Sequence, residues 1–488
     1  MDTSARRGAA GLALIAASLL LYWLTALLGP SVAAHALPGG GALPPYSLGV
    51  APSAWTVTLM LYAATAAGAA GLLLAWRALH AGWQPRVRSL LAGSAVAVLA
   101  LCLVPPTGSD DVYSYAAYGR MAATGRDPYT TTADDLPGDP VARAVTAPWR
   151  DTPSVYGPVA TGLHAAVMRV AGDSVRWGVM GLVWLSAAAF LATTALLDRY
   201  AGPAPARRRA ALLFAVNPLL MYQLVAGAHV DALVTLPVVA AVLALHRRPW
   251  LAGVLLGGAV SVKLTAGLAA AGVAWHLRHR LRDLAVVTGT ALLVAVPSYL
   301  LAGGTTALVQ AREASRFVSH ATLWRPIAVQ LDRVAGRTTS RNILTTLSLL
   351  LLCAITALLW RAGGLSRAGT RPPGAVAQVV AVPVVAWLLA ATYVLPWYTA
   401  PAWALVALLV RSRWDELLLA VTTMLTLAYL PGRSVALPPG VAGVTRWVRA
   451  GAGPVVLAAL LACAVVLVLR PGGDGSRAAS STASGAEH

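Results

Sequence analysis

Long apolar runs limit what this chain can fold into more than any other feature. The stretches 11–28, 55–75, 89–104 and 175–197 each approach the roughly 20 residues that carry a helix across a bilayer. In lipid every backbone N–H and C=O needs an internal partner, so such runs fold as packed helices. Composition agrees. Of 488 residues, 58% are hydrophobic and 11% charged, with mean hydropathy +0.69, whereas a soluble domain carries about 25% charged residues. The expectation is an all-α polytopic membrane protein of about 12–14 transmembrane segments.

The formal charge of +19 invites comparison with nucleic-acid binders, but the arginines sit in short links between apolar runs. No basic domain stands clear of the membrane, so no nucleic-acid partner is expected. Cys102, Cys353 and Cys463 lie in or beside apolar runs without CxxC spacing, and read as buried structural thiols. Arg6, Arg7, an apolar stretch and "AHA" at 34–36 imitate a signal peptide. The stretch is too long for a cleaved signal and reads as a retained first span.

Cytoplasmic retention of basic links sets the orientation. Arg6 and Arg7 face the cytoplasm and 30–53, without Lys or Arg, faces out. Arg77, Arg86 and Arg88 return inside, which puts 105–173 outside as a long acidic and aromatic loop. The stretch 250–276 lies between two basic clusters, "HRRPW" and "HLRHRLRD". A single crossing would invert everything after it. Two short helices meeting near 261–265 keep both clusters inside, as broken helices do where they line a protein cavity. A second outer loop is expected at 303–341. The polar tail 471–488 reads as a disordered cytoplasmic end to a membrane domain of 1–470. Both termini then lie in the cytoplasm of a multi-pass plasma-membrane protein.

Acid is concentrated. Of 18 Asp and Glu residues, seven (Asp110, Asp111, Asp127, Asp134, Asp135, Asp139 and Asp151) fall between 110 and 151, beside Tyr113, Tyr115, Tyr118, Tyr129, Trp149 and Tyr156. Carboxylates bind sugar hydroxyls and rings pack on sugar faces, although interfacial aromatics alone would look similar. Asp134, Asp135 and Asp139, in "TTADDLPGDP", read as exposed turn. Asp110 and Asp111 differ, because they follow an apolar run directly, where a free carboxylate is costly. "DVYSYAAYGRMAATG" predicts a helix along the interface. Neighbours on a helix diverge by about 100°, so only one of the pair can aim into a given cavity. One carboxylate there could act as a general base toward an acceptor hydroxyl.

A phosphate leaving group needs a cation. Lys263 in "AVSVKLTAGL", the only lysine in the sequence, is the first candidate, with Arg312, Arg316 and Arg325 as rivals. A snorkelling or structurally paired lysine is the plainer alternative. His229 and Asp231 in "GAHVDA" cap a helix pair or serve the site; Asn217 and Pro218 break a helix. "LPWYTAPAW" is an outward turn, either an interface belt or a lid. There is no P-loop, nucleotide fingerprint or serine-triad signature.

The blocks "SDDVYSYAAYGRMAATGRDPY", "WRDTPSVYGPV", "NPLLMYQLVAGAHVDA", "GAVSVKLTAGL" and "LPWYTAPAW", spread over about 105–405, resemble the polyprenol-phosphomannose-dependent alpha-1,6-mannosyltransferases of actinobacteria, within the GT-C superfamily. The resemblance implies a GT-C-like bundle and an inverting transfer on the outer face. The donor would be polyprenyl phosphomannose and the acceptor a glycan or glycolipid of mannan or lipomannan type. By motif Asp111 matches the family's base, with Asp110 a close second. The family's His-Asn-Asp is here His229, Val230 and Asp231. Lys263 and Arg325 would hold the donor phosphate. Tyr113, Tyr115, Arg120, Trp149, Asp151, Tyr156, His229 and Asp231 would serve sugar and acceptor. No cofactor is required, while Asp110, Asp111 and Asp151 could offer oxygen ligands to a divalent cation. A carrier-lipid flippase, with a polar path at the midplane, and a non-catalytic assembly scaffold are the alternatives.

Overall fold

The computed structural model describes residues 3–38, 43–363, 365, 373–409, 412 and 414–469; the expected tail at 471–488 lies outside them. Among the described residues the structure is helical, with a lone bridge between Ala34 and Thr107. Six helices are long and apolar enough to cross a bilayer: Thr3–Leu27, Ala54–His80, Val175–Tyr200, Leu281–Leu301, Arg337–Arg361 and Pro439–Val468. Ala204–Ala215 and Pro218–Ala226, bent by 42°, make a seventh. Five further apolar helices of 10–17 residues are shorter than one crossing. The multi-pass expectation holds, but six or seven helices are long enough to cross, not the expected 12–14; the other expected spans are the shorter helices.

The bend has a local cause. Pro218 has no N–H to donate, and Asn217 Oδ1 accepts from the N–H groups of Leu219 and Leu220 at 3.1 and 3.3 Å, capping the second half.

The 250–276 stretch is a hairpin. Pro249–Val262 runs alongside Leu281–Leu301 in the same direction: Thr290 Oγ1 donates to the Trp250 carbonyl (3.0 Å), and at the other end Ser261 and Ser298 hydroxyls meet at 2.9 Å. Two consecutive helices can be parallel only if the chain between them returns, which 264–277 does. His276 thereby comes back beside His246, ring centroids 5.7 Å apart. The apex is Lys263, in extended backbone (φ −157°, ψ 126°). Close approach along the parallel pair depends on small residues: a Cβ at Gly257 would stand 2.5 Å from the Ala291 carbonyl oxygen.

On the apex side, the helix Asp111–Ala123 packs across Pro158–Ala171. A Cβ at Gly119 would lie 2.6 Å from the His164 backbone. Near the links that carry the basic residues, Arg209 and Asp415 form a buried bidentate pair at 2.6 and 2.7 Å, with the Leu409 carbonyl as a further acceptor.

Candidate active site

Adjacent carboxylates with opposite surroundings define the site. Asp110 caps the helix that Asp111 begins, so the two side chains leave the backbone in different directions. Asp110 points into the protein and is 2% exposed. His35 Nε2 meets its Oδ1 at 2.5 Å, the Ser434 N–H donates to Oδ2 at 2.7 Å, and Arg433 Nε approaches at 3.4 Å. Burial would raise its pKa, but these three partners outweigh it and hold the carboxyl below its usual range. Arg433 also donates to the carbonyls of Ser31 and Ala34. One carboxylate thus latches the segment after the first span, the acidic loop and the 430s turn together.

Asp111 lines a cavity of about 1080 Å³, which Asp110 also borders. Burial pushes its carboxyl up to about 6, with the Asp110 charge adding to the rise. Lys263 and hydrogen bonds from Ser109 and Tyr115 oppose it. Tyr115 OH donates to Oδ2 at 3.3 Å and itself accepts from Tyr156 OH at 3.3 Å. A carboxyl tuned toward neutrality at the wall of a cavity is what general-base catalysis asks for.

Of the residues expected from the sequence, Asp110, Asp111, Trp149, Tyr156 and Lys263 line this cavity. Tyr113 and Tyr115 do not. Tyr113 stacks on His35 at 3.9 Å and Tyr115 on His164 at 5.2 Å, so both buttress the carboxylates from behind. Arg120 is turned away to Asp139, at 2.9 Å, and Asp151 is exposed against Thr152. His229 and Asp231 lie beneath the cavity floor, both buried. Asp134, paired with Arg150, and Asp135, capping its own turn, occupy the acidic loop's turn as expected. Among the described residues no three His, Cys, Asp or Glu side chains converge as metal ligands; Asp151 stands apart from Asp110 and Asp111.

Lys263 is not an open cation. Its Nζ lies 2.9 and 3.0 Å from the Asp231 oxygens and 3.7 Å above the Tyr398 ring. Its charge is largely balanced before any ligand arrives. Arg312 lines the same cavity, as do Arg433 and Arg449. Arg325 lies in an adjoining cavity of about 650 Å³ with Arg316, Arg337 and Arg341, which shares Trp149, Phe317 and Tyr393 with the first. His35 and Arg433 had no signal in the sequence, because their roles depend on partners far along the chain; Tyr398 lies in the "LPWYTAPAW" turn, whose contact with Lys263 only the fold reveals.

Residues 10–279 match the family model of the alpha-(1->6)-mannopyranosyltransferases, N-terminal domain. The chain belongs to this family. It is 37% identical over 185 residues to alpha-(1->6)-mannopyranosyltransferase A of Corynebacterium glutamicum, 37% of each chain. To alpha-(1->6)-mannopyranosyltransferase A of Mycobacterium tuberculosis it is 31% identical over 232 residues, 44% of this chain and 43% of that one. The chain thus spans well under half the length of these curated relatives. Among solved structures, ArnT from Cupriavidus metallidurans bound to undecaprenyl phosphate aligns with a TM-score of 0.41 at 16% identity, over 78% of this chain and 75% of that one. A likeness at that level supports nothing further. The family's matched segment carries both carboxylates, His229, Asp231 and Lys263, while Arg433 and Ser434 lie beyond it.

Proposed function

We propose that this protein is an inverting glycosyltransferase of the GT-C type. It moves mannose from polyprenyl phosphomannose to a mannan or lipomannan-type acceptor, forming an alpha-1,6 linkage on the extracytoplasmic face. The observation that carries the reading is Asp111: a carboxylate raised to about 6, at the wall of a cavity lined by arginines, within a family of mannopyranosyltransferases.

In the proposed reaction Asp111 takes the proton of the acceptor hydroxyl as its oxygen bonds to the sugar's anomeric carbon. The bond from that carbon to the phosphate oxygen breaks on the opposite face, and the electron pair leaves with the phosphate. From a beta-linked donor, inversion gives the alpha product. Phosphate needs no acid to leave but needs its charge met. Arg312 is on the cavity wall to meet it, whereas Arg433 and Arg449 on the same wall already serve Asp110 and backbone carbonyls; a bidentate guanidinium suits phosphate better than an ammonium already paired to Asp231. Trp149 and Tyr156 offer ring faces to the sugar. No cofactor enters the scheme.

The test is transfer of radiolabelled mannose from polyprenyl phosphomannose to an oligomannoside, comparing wild type with Asp111→Asn at equal protein level. Loss of the base should cost 10²-fold or more in kcat, within the usual range of about 10²–10⁴, with little change in donor KM. Equal rates would remove Asp111 from the role. No transfer by wild type would remove the donor assignment.

A further inference from the structure

Beneath the cavity floor, behind the base, a buried histidine holds an unused lone pair toward it. His229 is wholly buried, and its Nδ1 lies 2.5 Å from the Gln223 carbonyl oxygen. A carbonyl only accepts, so Nδ1 carries the hydrogen and a neutral ring presents a bare lone pair at Nε2. Burial away from water favours that neutral ring. Nε2 has no hydrogen-bond partner, and the nearest acidic atom is Asp111 Oδ2, 3.7 Å away.

The surroundings keep the ring in this setting. It stacks on the buried Trp397 at 3.5 Å and 16°. A Cβ at Gly227 would stand 2.6 Å from the ring's Cε1 and Nδ1. The residue between them, Ala228, is held at φ 53°, left-handed backbone that a side chain tolerates only at a cost. Strained backbone, an obligatory glycine and an aromatic stack all serve one ring orientation.

A lone pair facing a carboxylate is mildly repulsive, whereas a lone pair facing a carboxylic acid accepts its proton in a hydrogen bond. We propose that His229 is a positioning residue that acts through Asp111: its Nε2 accepts a hydrogen bond from the Asp111 carboxyl only after that carboxyl has taken the acceptor's proton. The interaction is absent with substrate bound and forms as the proton arrives, which is where an interaction lowers a barrier. Closing the gap by about 1 Å gives normal hydrogen-bond length. The proton later leaves Asp111 through the cavity, and His229 ends the cycle unchanged. The inference rests on Asp111 being the base.

Other groups face Asp111 and set the background. Asp110 and Lys263 carry charge toward it. The phenols of Tyr115, Tyr118, Tyr156, Tyr393, Tyr398 and Tyr429 feel its charge, and burial keeps all six neutral. None of these is altered by substitution at 229.

The test is the pH profile of kcat/KM for mannosyl transfer in wild type, His229→Phe and His229→Gln. Phenylalanine keeps the stack on Trp397 and removes the lone pair. Its acid limb should move to lower pH by about one unit, with the plateau lowered roughly 10-fold as the base weakens. Glutamine can turn its carbonyl toward Asp111 and should restore the wild-type limb. An unmoved limb in His229→Phe overturns the proposal. So does a limb moved to higher pH, the result expected if His229 were a cation paired with the carboxylate. Infrared titration of the Asp111 carboxyl, with Asp111→Asn as blank, reads the same shift without any sugar donor. A wrong donor would therefore abolish transfer but leave this titration standing, and a titration that His229→Phe does not shift rejects the His229 role.

Discussion

Asp110 and Asp111 are chemically identical and adjacent, yet their surroundings give them opposite duties. Asp110 is ionised and saturated by partners, so it is a strut. For a group with a depressed folded pKa, the stabilisation is present above the unfolded value near 3.9 and is lost as pH falls through the folded value. Asp110→Asn should lower the thermal midpoint at neutral pH, in keeping with about 1.5–3 kcal/mol for hydrogen bonds to a charged group. Wild type and variant should converge in acid, once the wild-type carboxyl is itself protonated. Melting the two detergent-solubilised proteins across pH checks this, and equal midpoints at neutral pH would return Asp110 to the list of candidate bases. The sequence could announce, from helical geometry alone, that only one of the pair would aim squarely into a cavity, although both border it. It could not say which, because His35 and Arg433 are 75 and 323 positions away, and pairings at that range leave no periodic trace.

The element that matters most is the hairpin with Lys263 at its tip. It was legible in the sequence through charge: a single crossing between the two basic clusters would have put one of them outside and inverted everything after it. What the sequence could not supply was the tip's own electrostatics. Lys263 reads as a waiting cation only until Asp231, 32 positions earlier, is seen beside it. The hairpin owes its place to the parallel contact between Pro249–Val262 and Leu281–Leu301, where Gly257 leaves room for the Ala291 carbonyl. Gly257→Val should push the two helices apart and shift the tip. Overpacking of this kind costs about 1–3 kcal/mol. The expected result is a lower thermal midpoint together with a raised donor KM, whereas Gly258→Val, at a position with open space around it, should leave both near wild type. Equal behaviour of the two variants would dissociate the hairpin's packing from the site.

At the scale of the whole molecule the hairpin has two unlike ends. The hairpin's basic ends, around 246–250 and 276–282, lie together at one end, and the Lys263 tip with Asp111 and the cavity lies at the other. Positive-inside sorting predicts that the cavity opens outside the cell. In a background lacking Cys102, Cys353 and Cys463, an impermeant maleimide should label Asp151→Cys in intact cells and Arg280→Cys only after lysis. The reverse pattern would invert the topology. That the chain is a multi-pass membrane protein was its most readable property, since hydropathy is a sum over many residues. The number of full crossings was less so, because short buried helices and spanning helices share one composition and differ only in length and neighbours.

The latch at Asp110 carries a further consequence. The stretch matched by the family model ends at residue 279, but the carboxylate that seats the base is gripped by Arg433 and Ser434. The carboxylate pair and its keeper therefore come from stretches more than 300 positions apart. A chimera that borrowed its distal portion from a relative would replace the grip on Asp110 while leaving the acidic loop's own sequence intact, and the 430s turn is a dial by which divergence could retune the carboxylate pair.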